Sequence, residues 1–189
     1  MELIGIKTKL RLLTAADSNA LVEAAADGEL WQLNYTLVPN SDTIDNYITN
    51  ALNTYADSSG LPFVIELIDS QKIIGTTRFW HIDKPNRSLE IGSTWIAKSW
   101  QRSFVNTEIK YLMLKYAFET LHCIRVQFTT DVLNEQSQKA IMRIGAKKEG
   151  IIRYERIMPN GRKRDSVRFS IIEDEWASVK TALLEKLNH

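Results

Sequence analysis

The chain has 189 residues, a formal net charge of +1, 44% hydrophobic and 25% charged residues, which is the balance of one globular domain spanning 1–189 rather than of a disordered or fibrous chain. No apolar run approaches the roughly 20 residues needed to span a bilayer, and the opening Met-Glu-Leu-Ile-Gly-Ile-Lys-Thr-Lys lacks the basic and long apolar regions of a secretion signal. Cys123 is the only cysteine, so no intrachain disulfide can form and a reducing, cytoplasmic setting is expected.

In chain order, Lys9 to Leu13 reads as a short strand. Thr14-Ala-Ala-Asp17 resembles a capping box and opens an Ala-rich helix reaching Asp27. A second helix is expected from Ser41 to Ala56, closed by Ser58-Ser59-Gly60. Leu61 to Ile68 is strand-like, and Asp69-Ser70-Gln71 is a turn. Lys72 to Ile82 and Ser88 to Ile96 form a hairpin across Asp83-Lys-Pro-Asn86. A helix from Asn106 to Leu121, a strand from Ile124 to Thr130 and a helix from Asn134 to Ile144 follow. Lys147 to Met158 and Lys163 to Ile172 pair around Pro159-Asn160-Gly161. The last helix starts in Glu173-Asp174-Glu175 and runs to Leu187 with Lys180 and Lys186 toward its negative end. Helices and strands interleave, which predicts an α/β protein with a mostly antiparallel sheet.

The charge is unevenly placed. Residues 1–70 hold three basic and ten acidic side chains, whereas residues 138–168 hold ten basic and three acidic ones. An acidic half attracts a cationic amine and a basic half attracts a phosphorylated cofactor or RNA. The plainer reading is two solvated faces that compensate each other.

The segment from Trp95 to Glu119 carries the most chemistry. A strand ends at Ala97, a polar turn follows, and a mostly apolar helix begins near Asn106. Such a turn leaves backbone N–H groups unpaired at the positive end of a helix dipole, which is an anion site. A phosphate-bearing cofactor is expected over Gln101 to Thr107. This segment resembles the diphosphate loop Q/R-x-x-G-x-G/A of the GNAT superfamily of acetyl-CoA-dependent N-acetyltransferases. Gln101 matches, while Phe104 and Asn106 replace the two small residues. Leu89-Glu90-Ile91-Gly92 before Trp95 resembles the family's fourth strand, and Asn106-Thr107-Glu108 the start of its cofactor helix. Asn134-Glu-Gln-Ser137, Ile144-Gly145-Ala146 and Glu149-Gly150 resemble its N-x-x-S/A…G-F/A…E-G block. With Arg153 and the Gly161…Arg164-Asp165…Phe169-Ser170-Ile171 strand, the pattern is most similar to the branch that acetylates ribosomal protein N-termini. The resemblance covers Lys7 to Lys180.

The resemblance implies a mixed, mostly antiparallel twisted sheet flanked by helices, acetyl-CoA as cofactor, and an amine acceptor such as a protein N-terminus. No covalent enzyme intermediate is required for that transfer, and Cys123, in an apolar setting, reads as buried and inert. The cofactor residues expected are Ile96, Ala97, Gln101, Arg102, Ser103, Phe104, Val105, Asn106, Thr107, Asn134 and Ser137. Asn134 is also the natural N-cap of its helix. Many family members carry a tyrosine where this chain has Ile141, so Ser137 or water is left to protonate the leaving thiolate. Phe104 either packs inward in a reshaped turn or weakens the phosphate site. Arg102 is either a phosphate partner or a solvated loop residue.

Glu90, on a face shared by strand alternation with Gly92 and Thr94, is the expected base, and His81 on the neighbouring strand is the runner-up. His122 and His189 sit at element ends and carry no signal. Trp31, Tyr35, Trp80, His81 and Trp95 are the candidates for an acceptor pocket; with Phe79, two or three of the five aromatics are expected to line it and the rest to be core. No metal site and no nucleic-acid motif is read from the sequence. Monomer and homodimer both stay open. The alternatives are a non-catalytic acyl-CoA-binding module, favoured by Phe104 and Ile141, and a ribosome- or RNA-associated protein using the basic stretch from Lys139 to Arg168.

Overall fold

The computed structural model describes residues 1–188; His189 lies outside the described residues. Eight strands form one sheet: β1 Glu2–Ile4, β2 Thr8–Leu12, β3 Leu61–Leu67, β4 Ile73–Asp83, β5 Ser88–Ile96, β6 Arg125–Asp131, β7 Lys147–Ile157 and β8 Lys163–Ile172. Five helices flank it: α1 Ser18–Ala26, α2 Ile44–Ala56, α3 Val105–Lys115, α4 Glu135–Arg143 and α5 Glu173–Asn188. The strand order is β1-β2-β3-β4-β5-β6-β8-β7. Every neighbouring pair is antiparallel except β5 with β6. No helix among the described residues is long and apolar enough to cross a membrane.

The expected elements are present, with two differences. The short β1 was not anticipated, being three residues with no period to read. The helix from Val105 does not continue as α to Leu121: after Lys115 it widens into a π-type turn over Tyr116–Thr120. The widened turn brings both Ala117 and Phe118 inward, and Phe118 stacks on Trp176 of α5 at 5.3 Å.

The two faces of the sheet are covered differently. Thr77 on β4 meets Met113 and Lys110 of α3. Its neighbour Arg78 points the other way and stacks on Tyr47 of α2. Between these layers lie Phe63, Phe79, Phe128, Phe169, Ile65 and Ile109, all essentially excluded from solvent. Aromatic and branched side chains at alternate strand positions bury the most surface per residue, which is why the core centres on β3, β4, β5, β6 and β8.

Two features of the sheet place the cleft described below. β5 and β6 are in register only at Ser88↔Arg125, Leu89↔Val126 and Glu90↔Gln127. Beyond these pairs the strands run on to Ile96 and Asp131 without each other. β5 also carries an extra residue against β4, between the pairs Thr76↔Trp95 and Arg78↔Gly92. Ser93 takes a left-handed conformation there, with φ 46°. A bulge bends its strand and disrupts the local ladder, and this one coincides with the parting of β5 from β6.

A buried carboxylate fixes α3 to the sheet edge. Glu108 is 4% exposed. One oxygen accepts from the N–H groups of Ile6 (2.6 Å) and Lys7 (3.1 Å), the other from the Thr8 hydroxyl (2.6 Å). Gly5 permits this approach, since a Cβ there would lie 2.7 Å from the Glu108 carboxylate. Glu108→Ala should therefore leave three donors unpaired and lower stability by roughly 2–4 kcal/mol. Urea denaturation should show a lower midpoint at unchanged slope.

Candidate active site

Where β5 and β6 part, the sheet opens into a cleft of about 800 Å³. Its walls come from the α1–α2 connection, β4, β5, β6, the start of α3, α4, and the β7–β8 hairpin. The cleft passes between two strands of one sheet, so groups from both faces reach it.

At one end lies the turn from β5 into α3. Gln101 spans it: its amide donates to the Ile96 carbonyl (2.9 Å) and its oxygen accepts from Gln136 of α4 (3.3 Å). The Ser103 hydroxyl donates to the Trp100 carbonyl (2.7 Å) and accepts from Val105 N–H (3.3 Å). Glu108 N–H reaches the Phe104 carbonyl (3.0 Å), which leaves the N–H groups of Asn106 and Thr107 for an outside acceptor. Arg102 carries the left-handed conformation of the turn, with φ 59°. Phe104 has ordinary helical angles, φ −62° and ψ −25°. The chain thus reverses without a glycine at 104. The Phe104 ring packs edge-on against Trp100 at 6.3 Å, with Lys7 Nζ 4.9 Å above it.

Ile96, Gln101, Arg102, Ser103, Asn106, Asn134 and Ser137 line the cleft together. Four expected cofactor residues do not. Ala97 is buried, its N–H taken by the Ile74 carbonyl (2.8 Å). Val105 is core. Thr107 is buried and accepts from Arg143 (3.0 Å). Phe104 supports the turn from behind. The Asn134 side chain caps α4 by accepting from Ser137 N–H (3.0 Å). Ile141 lines the cleft one turn beyond Ser137, so the nearest α4 hydroxyl is that of Ser137.

At the other end stands Glu90, only 9% exposed. One carboxylate oxygen accepts from Gln127 Nε2 (2.9 Å) and faces His81 Nδ1 at 3.4 Å. The second oxygen has no hydrogen-bond partner among the described residues and lies 3.5 Å from where a Cβ on Gly92 would stand. That glycine is needed by Trp80, whose indole would meet the same Cβ at 2.8 Å. His81 sits in a bulge of β4, with φ 45° and an exposed side chain. Glu90, Gly92 and Thr94 do not share one face as simple alternation implies. The extra residue at Ser93 turns Thr94 to the α3 side, where it meets Thr77 (2.8 Å) and Lys110 (2.6 Å), while Glu90 stays on the α2 side with Trp80.

Tyr35, Trp80, His81 and Trp95 line the cleft, and Phe79 is core. Trp95 is held by its N–H donating to Tyr47 (3.1 Å). Trp31 lies instead in an adjoining pocket of about 440 Å³ against Met158, Pro159 and Asn160. Cys123 is buried, and burial pushes its thiol pKa up, which removes it as a nucleophile.

Sequence reasoning missed Lys110. It is 5% exposed, lines the cleft, and among the described residues bonds only Thr94 (2.6 Å) and Thr77 (3.4 Å). The signal was present, since Lys110 precedes the fully buried Met113 and Leu114 at three- and four-residue spacing, a cation on an apolar helix face.

The site thus joins unpaired helix-start amides on one side of a split parallel pair to an unpaired carboxylate oxygen on the other. Residues 7–147 match the model of the acetyltransferase (GNAT) domain, and the chain belongs to that family. It is an acyltransferase. YdaF of Bacillus subtilis, provisionally named a ribosomal N-acetyltransferase, is 30% identical over 179 residues, covering 90% of this chain and 94% of YdaF. A structure from T. thermophilus, provisionally named an acetyltransferase, superposes with a TM-score of 0.86 at 30% identity, covering 98% of this chain and 96% of that one. Mycobacterium smegmatis RimJ, solved in complex with CoA-disulfide, shares the fold with a TM-score of 0.79 at 19% identity, covering 95% and 88%.

Burial pushes the Lys110 pKa from its ordinary 10.5 down to about 7. Between those values the unfolded chain holds a proton that the folded chain has released, so stability rises with pH across that window. Lys110→Met should remove a penalty on the order of a few kcal/mol at pH 7. Thermal melts should show a higher midpoint at pH 7 and a flatter profile from pH 7 to 10, with the Thr77–Thr94 bond still satisfying both hydroxyls.

Proposed function

We propose that this protein moves an acetyl group from acetyl-CoA to a primary amine by direct attack in a ternary complex, and that the acceptor is a protein N-terminus. The observation that carries the reading is the parting of β5 from β6 after Glu90, because it leaves two strand edges open along one channel. Open edges offer unpaired N–H and C=O groups to an amide-bearing arm. The free amide at Asn106 and the Arg102 side chain, both lining the channel, suit the phosphates at its α3 end. The name of YdaF supports a protein N-terminus as acceptor. The lone, buried cysteine is in keeping with a cytoplasmic setting.

Acetyl-CoA supplies the acetyl group as a thioester. Glu90 takes the proton from the attacking amine, directly or through a water, with its free oxygen. Gln127 holds the carboxylate in place and His81 flanks it. Trp80, packed against Gly92, forms the channel wall beside the carboxylate. Ser137 donates its hydroxyl proton to the departing sulfur and regains one from solvent, while Glu90 releases the amine's proton to solvent, so the net transfer leaves both groups unchanged. Positioning the two reactants in one channel supplies much of the rate.

The test is thiol release from acetyl-CoA with an N-terminal peptide, alongside Glu90→Gln. The variant should lose roughly 10²–10⁴-fold in kcat, the scale of general-base catalysis, while keeping its affinity for coenzyme A. Wild-type turnover in the variant would remove Glu90 from the mechanism.

A further inference from the structure

The β7–β8 hairpin presents an arrangement that the transfer chemistry does not need. Arg156 stands directly opposite Arg164 in the strand register. Directly opposed side chains share one face with Cβ atoms only about 5 Å apart, and like charges there repel. Arg168 lies four residues from Arg164 on β8 and so shares that face. All three arginines line the cleft.

The protein does not neutralise them fully. Asp131 is engaged by Arg162, and Arg164 Nε lies 3.8 Å from it, beyond hydrogen-bond reach. Glu155 accepts from Arg168 Nη2 (3.0 Å). Arg156 has no ion-pair partner among the described residues. Nε of both Arg164 and Arg168 is buried without an acceptor, and the Arg164 side chain is only 11% exposed. Burial and the charge of Arg156 both press the Arg164 pKa down. β7 is strongly bulged here, with three residues between Ile152 and Arg156 facing one on β8 and Tyr154 at φ 51°. A bulge re-aims side chains; here Glu155 and Arg156, next to it, both line the cleft.

The row also has a definite position. Thr129 pairs with Arg168, two residues along β6 from Gln127, the partner of Glu90. That step is about 7 Å, the reach of the second or third residue of an extended peptide. Arg164 lies about 13 Å further along the strand direction, more than one small anion spans. These groups are on the Glu90 face of the sheet, opposite α3 and its phosphate-binding turn.

We propose that Arg156, Arg164 and Arg168 form an anion site for the acceptor, and that this acceptor is a peptide N-terminus followed within a few residues by acidic side chains. The proposal rests on the protein N-terminus reading above. Carboxylates supply the acceptors that the buried Nε atoms lack and separate the opposed guanidinium groups.

The test uses three peptides with the same N-terminal serine and length, carrying Glu/Asp, Gln/Asn or Lys/Arg at positions two to four. Binding to the full chain with coenzyme A present is measured by calorimetry, and acetylation in parallel. The acidic peptide should bind at least tenfold more tightly than the neutral one, with a preference that weakens in salt. Arg156→Glu, a change at an exposed side chain, should erase that preference or transfer it to the basic peptide. Equal constants for all three peptides, no peptide binding, a preference that Arg156→Glu leaves intact, or tight binding only of a small amino-phosphate would overturn the proposal. An acidic peptide that binds with the stated preference but is never acetylated would refute the peptide-acceptor reading and leave the anion site standing.

Discussion

The structure depends on one interruption of hydrogen bonding. Two adjacent parallel strands, β5 and β6, pair at three positions and then part. Elsewhere neighbouring strands stay paired apart from local bulges, because an unpaired strand edge inside a protein costs free energy at every backbone group. An edge left open along a cleft is tolerated where water or a ligand can pair with it. The interruption thus creates the channel.

Several local choices support the parting. The left-handed Ser93 adds a residue to β5 and reverses its alternation, so that Glu90 and Trp95 face the α2 side while Thr94 faces α3. Gly92 leaves the room in which Trp80 lies against the strand next to Glu90. Glu108 ties the start of α3 to the β1–β2 turn, so the free amides at the helix start are held on a rigid element rather than a loop. A site built on packed elements keeps its geometry without being ordered by the ligand.

The electrostatics divide along the same line. The basic stretch of the sequence does not form one patch. Lys139 and Arg143 on α4 join Arg102 at the turn-and-helix end, whereas Arg156, Arg164 and Arg168 line the Glu90 side. Asp131, fully buried, holds Arg162 and thereby anchors the hairpin, and the same arginine donates to the Asn34 carbonyl (3.3 Å). That contact joins the α1–α2 connection to the hairpin and closes the wall of the cleft. Lys110 is the exception, a cation buried without a carboxylate and held by two threonine hydroxyls.

The sequence by itself determined the elements other than β1 and the π-type turn after α3, their order and the class of chemistry. Gly, Pro and Asn turns and alternating strands are local signals, and the turn into α3 with Asn134 capping α4 is a short-range pattern of the same kind. Alternation was misread only at Ser93, because one inserted residue flips every later side chain and no residue type announces it. The tertiary structure alone decided which residues meet. Ala97, Val105, Phe104 and Thr107 lie within the expected cofactor segment yet point away from the cleft, since a helix start exposes only one side of its first turn. Trp31 was separated from Trp80 and Trp95 by the path of the α1–α2 connection, which no periodicity encodes. The opposition of Arg156 and Arg164, eight positions apart, follows from the hairpin register, which runs unbroken from the turn through Ile157↔Lys163 to Arg156↔Arg164, and the burial of Lys110 follows from the sheet packed against α3. The first is set by a local turn, whereas the second depends on contacts between segments far apart in the chain.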